Sequence, residues 1–320
     1  MTTRKPAQRG AALLTAMIIV TLIASLAGGM VWQQYRAVQI EAADRARAQS
    51  AWVLQGALDW ARLILKTDSA AIDSYSDFWA TPLAESRLST FLAAESSSAS
   101  DEGPEAFLSG FIEDAQARYN LRALLGGSQV PPAEELTLKL LCNQVNVSPG
   151  TATIIIDGLR AAFPSAASAA ASAASTVGVS TSGPLQPASL DQLSWFGLDA
   201  DTIKRLQPYV VLLPKTTPVN LNTAPREVIA ALLNVNLADA ERLVQGRKSQ
   251  PLKNTADAAN FLSANVQIGA GRASVNSSYF IVTGRLRLDE RQLEQRSLVE
   301  RQNRTTTVLA RERVSQLLDR

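Results

Sequence analysis

The residue types that most enzymes use for catalysis are scarce in this sequence. Its 320 residues include no histidine and a single cysteine, Cys142. Without histidine, Ser-His-Asp and Cys-His nucleophilic sites and the usual zinc hydrolase sites are excluded, and one cysteine allows no intramolecular disulfide. No glycine-rich phosphate-binding loop occurs either. Catalysis by paired carboxylates is left open. We expect no enzyme, and a Cys142 that is buried as an apolar residue.

The dominant feature is instead an apolar segment near the N-terminus. No charged residue occurs from Ala11 to Tyr35, whereas Arg4, Lys5 and Arg9 precede the segment and Arg36 follows it. At about 1.5 Å per helical residue this run reaches roughly 37 Å, which exceeds the ~30 Å hydrocarbon core of a bilayer. Basic residues hold the short N-terminal side in the cytoplasm. The sequence therefore predicts a single membrane span with the bulk of the chain exported.

Three kinds of processing fit this segment. A secretory leader would be cleaved after the small-x-small motif that ends at Ala27, and a signal anchor would not be cleaved. The third possibility is a prepilin peptidase site, because Arg9-Gly10 stands immediately before the apolar run. That enzyme would cut on the cytoplasmic side, between Gly10 and Ala11, and would leave the apolar segment on the protein.

The residues that follow distinguish these possibilities. No proline occurs from Ala11 to Thr81, and from Tyr35 to Lys66 apolar residues recur at helical spacings of three, four and seven. The predicted apolar stripe consists of Val38, Ala42, Ala46, Val53, Ala57, Trp60 and Ile64. The membrane helix is thus expected to continue as an amphipathic helix. Cleavage after Ala27 would divide it near its middle, so we favour the cut after Gly10.

This N-terminus resembles that of type IV pilin-like proteins, and in particular the K-type minor pseudopilins of the type II (general) secretion pathway. Most such subunits carry Glu at the fifth position after the cut, where this chain has Thr15. In models of pilin assembly the Glu neutralises the N-terminal amine of the subunit above, because a buried unpaired charge is costly. A subunit at the tip has nothing above it and needs no such Glu. Thr15 also fits an ordinary neutral residue of a membrane helix.

The segment after the long helix contains a first strand. Residues 67–105 are polar and predict a short helix and loop, whereas Phe107–Glu113 predicts a strand. Asp114 and a segment containing Asn120 follow, similar to the strand and Arg-aromatic-Asn-Leu segment of the K family. We expect Asp114 and Asn120 to hydrogen-bond the backbone of a turn through their short side chains.

The middle of the chain predicts helices. Ser148 is expected to cap a helix that has Pro149 at its first position, and Thr223 to cap one that has Pro225 in its first turn. Pro164–Pro187 is rich in Ala, Ser and Gly and predicts a linker. The predicted helices are Glu134–Val145, Pro149–Phe163, two short helices within Leu190–Pro208, one from Pro225 to Leu233, and Ala238–Arg247.

Val219–Val228 is similar to helix-hairpin-helix domains, which occur in DNA-binding competence proteins and in the inserted domain of K-type pseudopilins. DNA-binding versions have a Gly-hydrophobic-Gly turn, so that backbone amides can approach a phosphate. The equivalent turn here is Asn234–Leu237, and neither it nor the turn at Val145–Val147 contains glycine. Without residues 1–10, which hold three basic and no acidic residues, 28 basic residues face 29 acidic ones. We therefore expect a protein-contacting scaffold without nucleic acid. A membrane-anchored DNA-binding protein of a DNA-uptake pathway is the alternative.

The C-terminal part predicts strands. In Tyr279–Leu288 one face carries Phe280, Val282, Leu286 and Leu288, and the other carries Thr283, Arg285 and Arg287, the alternation of a half-buried strand. Gln295–Gln302 and Thr305–Val314 are two further candidates. Together with the strand at Phe107–Glu113 they predict an antiparallel sheet.

The predicted fold class is α+β, with a pilin-like long N-terminal helix packed on an antiparallel sheet and an inserted all-α domain of the helix-hairpin-helix or SAM-like kind. The predicted divisions are a prepilin leader at 1–10, the transmembrane and N-terminal pilin helix at 11–66, the pilin-like domain at 67–122 and 271–320, and the insertion at 123–270.

The resemblance implies a minor pseudopilin at the tip of a periplasmic pseudopilus, where it helps to initiate assembly. It implies a single-pass protein of the bacterial inner membrane with a cytoplasmic N-terminus and a periplasmic bulk. The implied partners are the I-type and J-type minor pseudopilins, other pseudopilins and prepilin peptidase. The resemblance also implies a structural calcium ion, which needs several convergent oxygen ligands. The sequence identifies no ligand set beyond the candidates Asp289 and Glu290, and it indicates no other cofactor.

Overall fold

A computed structural model describes residues 9–88, 106–127, 129–148, 150–164, 184–263, 266, 268–269, 271–288 and 291–317. Most of the predicted linker, Pro149, and the candidate calcium ligands Asp289 and Glu290 lie outside these described residues. The chain divides into two compact units, residues 1–56 and 57–320.

The first unit consists of most of one long helix. Helix α1 runs from Arg9 to Thr67, so the apolar segment and the amphipathic segment form one helix, as the sequence predicts. Within α1 an 18-residue window reaches a mean hydropathy of 2.2 with none of it buried, enough in length and composition to cross a membrane. The hydroxyls of Thr15, Thr21 and Ser25 each donate to the carbonyl three residues earlier, at 2.9 Å. These polar groups are thereby satisfied inside the helix, which suits an apolar surrounding.

The end of α1 packs on a sheet in the second unit. Leu58, Ala61 and Leu65 are buried with Trp79 and with the sheet residues Phe280, Val282 and Val299. The predicted stripe through Ala57, Trp60 and Ile64 is wrong by one residue, because Trp60 is 39% exposed while Leu58 is 1% exposed. Two apolar series run along the helix with the same period, one residue out of phase. The side chains of the series with leucines and alanine are smaller than those of the series with tryptophan. The face with leucines and alanine can therefore pack more closely on the strands.

The sheet has five antiparallel strands in the order β1-β2-β7-β8-β9. They are β1 (Leu83–Arg87), β2 (Ala106–Asp114), β7 (Tyr279–Leu288), β8 (Arg291–Gln302) and β9 (Thr305–Leu317). Strand β1 was not predicted, since the sequence indicated only a short helix and loop there. Its polar residues pair along the edge of β2, where Arg87 lies opposite Phe107 and Glu85 bonds Arg287 at 2.6 Å. A short polar edge strand has no apolar alternation by which to recognise it.

The alternation predicted for β7 is confirmed on one face. Phe280, Val282 and Leu286 are each at most 5% exposed. On the other face, expected to be solvated, Tyr279 and Thr283 are also buried. Tyr279 packs there with Ala115, Val211 and Leu213, residues of the segment that separates β2 from β7. The helical insertion therefore lies on the outer face of the sheet at the Tyr279 end.

The insertion contains five α-helices among its described residues. They are α2 (Pro132–Gln144), α3 (Thr151–Ala162), α4 (Ala200–Leu206), α5 (Arg226–Leu233) and α6 (Leu237–Ser249). The prediction that Ser148 caps α3 is wrong, because α3 begins at Thr151 after a turn in which Thr151 N–H donates to the Ser148 carbonyl. Cys142 is buried in this helical core, and burial raises the pKa of its thiol to about 11. The expectation that Cys142 is buried as an apolar residue is confirmed.

Two similar units follow one another in the insertion. The first begins with β3 (Tyr119–Asn120), which pairs in parallel with β4 (Val210–Val211). The second begins with β5 (Val219–Asn220), which pairs in parallel with β6 (Ala273–Ser274). Each two-residue ladder encloses a helical hairpin, α2–α3 in the first unit and α5–α6 in the second. Each unit is thus a short parallel strand pair closed around a helical hairpin, and the first ladder also encloses α4.

The details of the two hairpins match as well. Each turn has an asparagine in the left-handed region, Asn146 at φ 54° and Asn234 at φ 52°. Each second helix carries a glycine against a phenylalanine ring, Gly158 against Phe196 and Gly246 against Phe261, so closely that a Cβ would collide with the ring. Each phenylalanine ends a seven-residue 3₁₀ helix, Leu190–Phe196 or Thr255–Phe261. The insertion therefore repeats one structural arrangement, and we call this structural repeat the internal duplication.

Candidate functional site

The predicted processing residues lie at the start of α1. Arg9 and Gly10 form its first turn, and Thr15 lies one turn beyond Ala11 on the exposed apolar segment. Thr15 Oγ1 donates to the carbonyl of Ala12 at 2.9 Å, so its hydroxyl is bonded within its own helix and supplies no negative charge. Cleavage between Gly10 and Ala11 and the assembly role of Thr15 stay predictions.

A second group of polar residues is buried where the insertion meets the sheet. We name this group the Asp114 cluster. It consists of Asp73, Asp114, Asn220, Thr223, Ser277 and Arg301, each at most 5% exposed. The sequence predicts Asp114 as a turn residue and Thr223 as a helix cap, but it does not predict that they lie in one cluster.

Asp114 is the centre of the cluster. Its Oδ1 accepts from the backbone N–H of Gln116 at 2.8 Å, which confirms the predicted turn role. Its Oδ2 accepts from Asn220 Nδ2 at 2.9 Å, Thr223 Oγ1 at 2.5 Å and Ser277 Oγ at 2.6 Å. Burial raises the pKa of Asp114, while the hydrogen bonds from Ser277, Thr223, Gln116 and Asn220 oppose that rise. Three parts of the chain thus converge on one carboxylate.

Thr223 does not cap a helix, contrary to the prediction. The N-cap of α5 is Pro225, which makes no side-chain cap. The Thr223 hydroxyl donates to Asp114 instead. A carboxylate is a stronger acceptor than the alternatives open to the hydroxyl, and its burial makes each missing donor costly.

Arg301 and Asp73 form the charged side of the cluster. Arg301 Nη2 donates to Asp73 Oδ1 and Oδ2 at 2.7 and 2.6 Å and to the Ser277 carbonyl at 2.9 Å. Arg301 Nη1 donates to Asp68 Oδ2 at 3.1 Å, and the guanidinium lies 4.7 Å from the centroid of the Phe280 ring. Burial raises the pKa of Asp73 to about 6, and the charge of Arg301 partly opposes this. One cation therefore neutralises carboxylates from the loop that follows α1.

Asn220 connects the two halves of the cluster. Besides Asp114, its Nδ2 donates to the Asp73 carbonyl at 3.0 Å and to Ser277 Oγ at 3.1 Å. Its Oδ1 accepts from the N–H of Asn222 at 2.9 Å.

Arg301 is the residue in the sequence that could have indicated this site. It follows Val299 on the apolar face of β8, and an arginine there requires a buried carboxylate partner.

Within the described residues, Asp68, Asp73 and Asp77 are the carboxylates close enough together to be considered for a metal ion. The implied calcium ion does not fit them. Arg301 already bonds Asp68 and Asp73, and Asp77 Oδ2 accepts from the backbone N–H of Ser74 at 2.7 Å. A divalent cation would be repelled by the guanidinium and would have to displace these donors.

In the hairpin turn of the second unit, a side chain of the turn itself caps the N-terminus of α6. Asn236 caps α6, because its side chain accepts from the N–H of Asp239 at 2.8 Å. The buried Asp239 in that first turn pairs with Arg242. The N–H of Asp239, one of the amides that would face a phosphate in a DNA-binding hairpin, is therefore already bonded. The carboxylate of Asp239 beside it would repel a phosphate. This geometry favours a scaffold over a DNA-binding hairpin.

The fold defines a class of protein. A membrane-length helix whose C-terminal end packs on an antiparallel sheet, with a helical domain inserted between two neighbouring strands of that sheet, is a pilin-like fold with an insertion. Residues 219–276, which contain Asn220 and Thr223, match the family model described as type II secretion system (T2SS), protein K.

Relatives named type II secretion system protein K match along almost the whole chain. The protein from Pseudomonas aeruginosa is 24% identical over 308 residues, covering 89% of this chain and 86% of the relative. The protein from Klebsiella pneumoniae is 29% identical, and that from Pectobacterium carotovorum subsp. carotovorum 26% identical, each covering 95% of this chain and 96% of the relative. The resemblance of the chain to the K-type minor pseudopilins of the type II secretion pathway is confirmed by these matches.

A solved structure has the same fold. It comes from the GspK-GspI-GspJ complex of the enterotoxigenic Escherichia coli type 2 secretion system, with a TM-score of 0.62 and 20% identity over 85% of this chain and 98% of that one. The predicted α+β fold class is confirmed.

Proposed function

We propose that this protein caps the tip of the periplasmic pseudopilus of a type II secretion system and helps to initiate its assembly. The supporting observation is the position of the insertion, which lies on the outer face of the sheet through Val211, Leu213 and Tyr279. A subunit in the middle of a tightly packed helical filament must leave its upper and lower faces free for neighbours. An insertion of this size beside the sheet obstructs one of these faces, so the subunit can start a filament but cannot be extended past its own insertion.

The absence of a carboxylate at Thr15 supports the same position. A pilin-like subunit with a neighbour above it needs a negative charge to meet the neighbour's N-terminal amine in the membrane. The Thr15 hydroxyl bonds its own helix and offers no such charge. The protein is therefore proposed to receive neighbours only on its lower side.

The proposed partners are the I-type and J-type minor pseudopilins, by analogy with the complex in which the structurally similar GspK was solved with GspI and GspJ. Other pseudopilins would contact the apolar half of α1, where the small residues Ala24, Ala27 and Gly28 allow close helix approach. No catalytic activity and no nucleic-acid partner are proposed.

The proposed topology is a single pass through the bacterial inner membrane. Prepilin peptidase removes residues 1–10, the apolar run from Ala11 crosses the bilayer, and the remainder lies in the periplasm. The proposed divisions of the exported part are the pilin-like segments 67–122 and 271–320 and the insertion 123–270.

The position in the filament can be tested by immunogold labelling of pseudopili assembled with a tagged copy. We expect one label at one end of each filament. Thr15→Glu should leave this labelling and the amount of assembled pseudopilus unchanged, whereas a charge in the apolar face, Ile19→Asp or Leu22→Asp, should abolish recovery of the I-type and J-type partners. Labels at many positions along the filament would contradict the capping proposal.

A further inference from the structure

We propose that Asn220 and Asp114 set the orientation of the helical insertion on the sheet. The Asp114 cluster draws residues from both parts of the molecule. Asp114 ends β2, Arg301 lies in β8, and Asp73 lies in the loop after α1. Asn220 and Thr223 belong to the second unit of the insertion, and Ser277 lies where the chain returns to the sheet. This inference does not depend on the proposed role at the pseudopilus tip.

The internal duplication shows what is special about Asn220. Asn120 holds the equivalent place in the first unit, and both side chains accept from the N–H two residues further on, at 3.1 Å for Asn120 and 2.9 Å for Asn220. The Nδ2 atom of Asn120, however, donates to the Lys215 carbonyl and to Thr217 Oγ1, which belong to the insertion. Asn220 donates to Asp114 and to the Asp73 carbonyl. The equivalent asparagines therefore have different roles. Asn120 bonds other residues of the insertion, whereas Asn220 connects the second unit to the sheet.

Two further directional bonds cross this junction, from Gln116 Nε2 to the Pro218 carbonyl at 3.0 Å and from the Tyr75 hydroxyl to the Thr223 carbonyl at 2.9 Å, whereas the apolar and the exposed charged contacts do not select an orientation. The apolar contact of Val211 and Leu213 with Tyr279 is non-directional, so it stabilises several sliding positions about equally. The Lys215–Glu300 ion pair has a lysine that is 64% exposed, and exposed pairs contribute little. The bonds to Asp114 are directional, and a buried carboxylate that loses a donor is strongly disfavoured. Only one placement of the insertion lets both Asn220 and Thr223 donate to the Asp114 carboxylate.

The direct test is a distance measurement between spin labels in the full-length protein in detergent micelles. Labels are attached through Thr307→Cys on the exposed side of β9 and Lys248→Cys on α6. The native Cys142 is buried with its pKa raised to about 11, so its thiol stays unlabelled at neutral pH. We expect a single narrow distance distribution for the parent protein.

Asn220→Asp places a second carboxylate where Nδ2 stood 2.9 Å from Asp114 Oδ2. We expect it to broaden or shift the distance distribution while the far-ultraviolet circular dichroism is retained. When Asp114→Asn is added to this variant, an amide donor at position 114 faces a carboxylate at position 220. The hydrogen bond is thereby restored in the opposite direction, and the distance distribution should narrow again. The matched control is Asn120→Asp, whose lost contacts lie inside the insertion and should leave the distribution narrow.

Hydrogen exchange gives an independent readout of the same variants. Amides of the junction, such as Asn222 and Ser277, should exchange roughly ten- to hundred-fold faster in Asn220→Asp, with exchange in α2 and α3 unchanged. An Asn220→Asp protein with parental distances and parental exchange would overturn the proposal. If that variant does not fold, Thr223→Val decides the question. It removes only one hydroxyl donor to Asp114, it should also broaden the distribution, and a parental distribution would contradict the proposal.

Discussion

At the scale of single residues, the buried charges are the least expected feature of this protein. Arg301 lies on the face of β8 that also carries Val299, next to the Phe280 ring. It is stable there because Asp73 and Asp68 accept its hydrogen bonds. An arginine in an apolar pattern does predict a buried carboxylate partner. Which of the 29 acidic residues it would be was not predictable, since Asp73 is 228 positions away in the chain and only the folded sheet brings the two together.

The raised pKa of Asp73 makes a prediction about pH. Burial raises this pKa to about 6, against an ordinary value of 3.8. A carboxyl group whose folded pKa is raised contributes stability that is fully present below its unfolded pKa and is lost as the pH rises through its folded pKa. The groups facing Asp73 are Arg301 on β8, Asp68 after α1 and Asp114 on β2. The contribution of Asp73 should therefore decrease between about pH 4 and pH 6, by up to about 3 kcal/mol.

Comparison with Asp73→Asn isolates this contribution. Urea unfolding at several pH values gives the free energy of unfolding for both proteins, and their difference, parent minus variant, should fall as the pH rises from 4 to 6. Thr307→Ala, a change at an exposed residue of β9 that does not ionise, is the control and should show no such trend in this window. A difference that rises with pH would mean that the attraction of Arg301 outweighs burial.

At the scale of elements, the sequence indicated the helices better than their relation to one another. Apolar spacing predicted the helices now seen as α2, α3, α5 and α6 to within a few residues. The duplication was not recognised, because α2 has 13 residues where α5 has 8. Edge strand β1 was missed because its residues are polar. In these places local propensity carries little information, and pairing with a neighbouring element decides the structure.

The duplication predicts equal responses at two distant positions. Alanine is a better helix former than glycine by about 1 kcal/mol, yet Gly158→Ala and Gly246→Ala each force a methyl group into a phenylalanine ring. Because overpacking costs about 1–3 kcal/mol and the better helix propensity of alanine offsets about 1 kcal/mol of it, we expect both substitutions to lower the free energy of unfolding by up to about 2 kcal/mol.

Chemical denaturation of each variant measures this change. Gly150→Ala is the control, because a Cβ at Gly150 meets nothing within 4 Å, and it should stay within about 0.5 kcal/mol of the parent. Destabilisation by Gly158→Ala without an effect of Gly246→Ala would show that the two units do not pack alike.

At the scale of the whole molecule, the order of parts was more informative than any single motif. The long helix is specified locally, by an apolar run that continues without proline into an amphipathic one. The sheet is not specified locally, because β2 and β7 pair across the entire insertion. Their pairing extends from Ala106 opposite Leu288 to Asp114 opposite Phe280. The family resemblance supplied that connection before the structure did. It did not supply the Asp114 cluster, which depends on side chains from five separated segments meeting at one point.

The order of parts also makes a prediction about the mature protein. If α1 is one functional helix from membrane to sheet, its apolar half must stay attached, and cleavage must occur between Gly10 and Ala11. N-terminal sequencing of the protein recovered from membranes should begin at Ala11. Gly10→Val, which places a branched side chain at the cut, should leave the leader in place, whereas Gly28→Val should be processed normally, since a Cβ at Gly28 meets nothing within 4 Å. A mature protein that begins at Gly28 would identify a secretory leader. It would remove the membrane half of the 59-residue helix through which assembly is proposed.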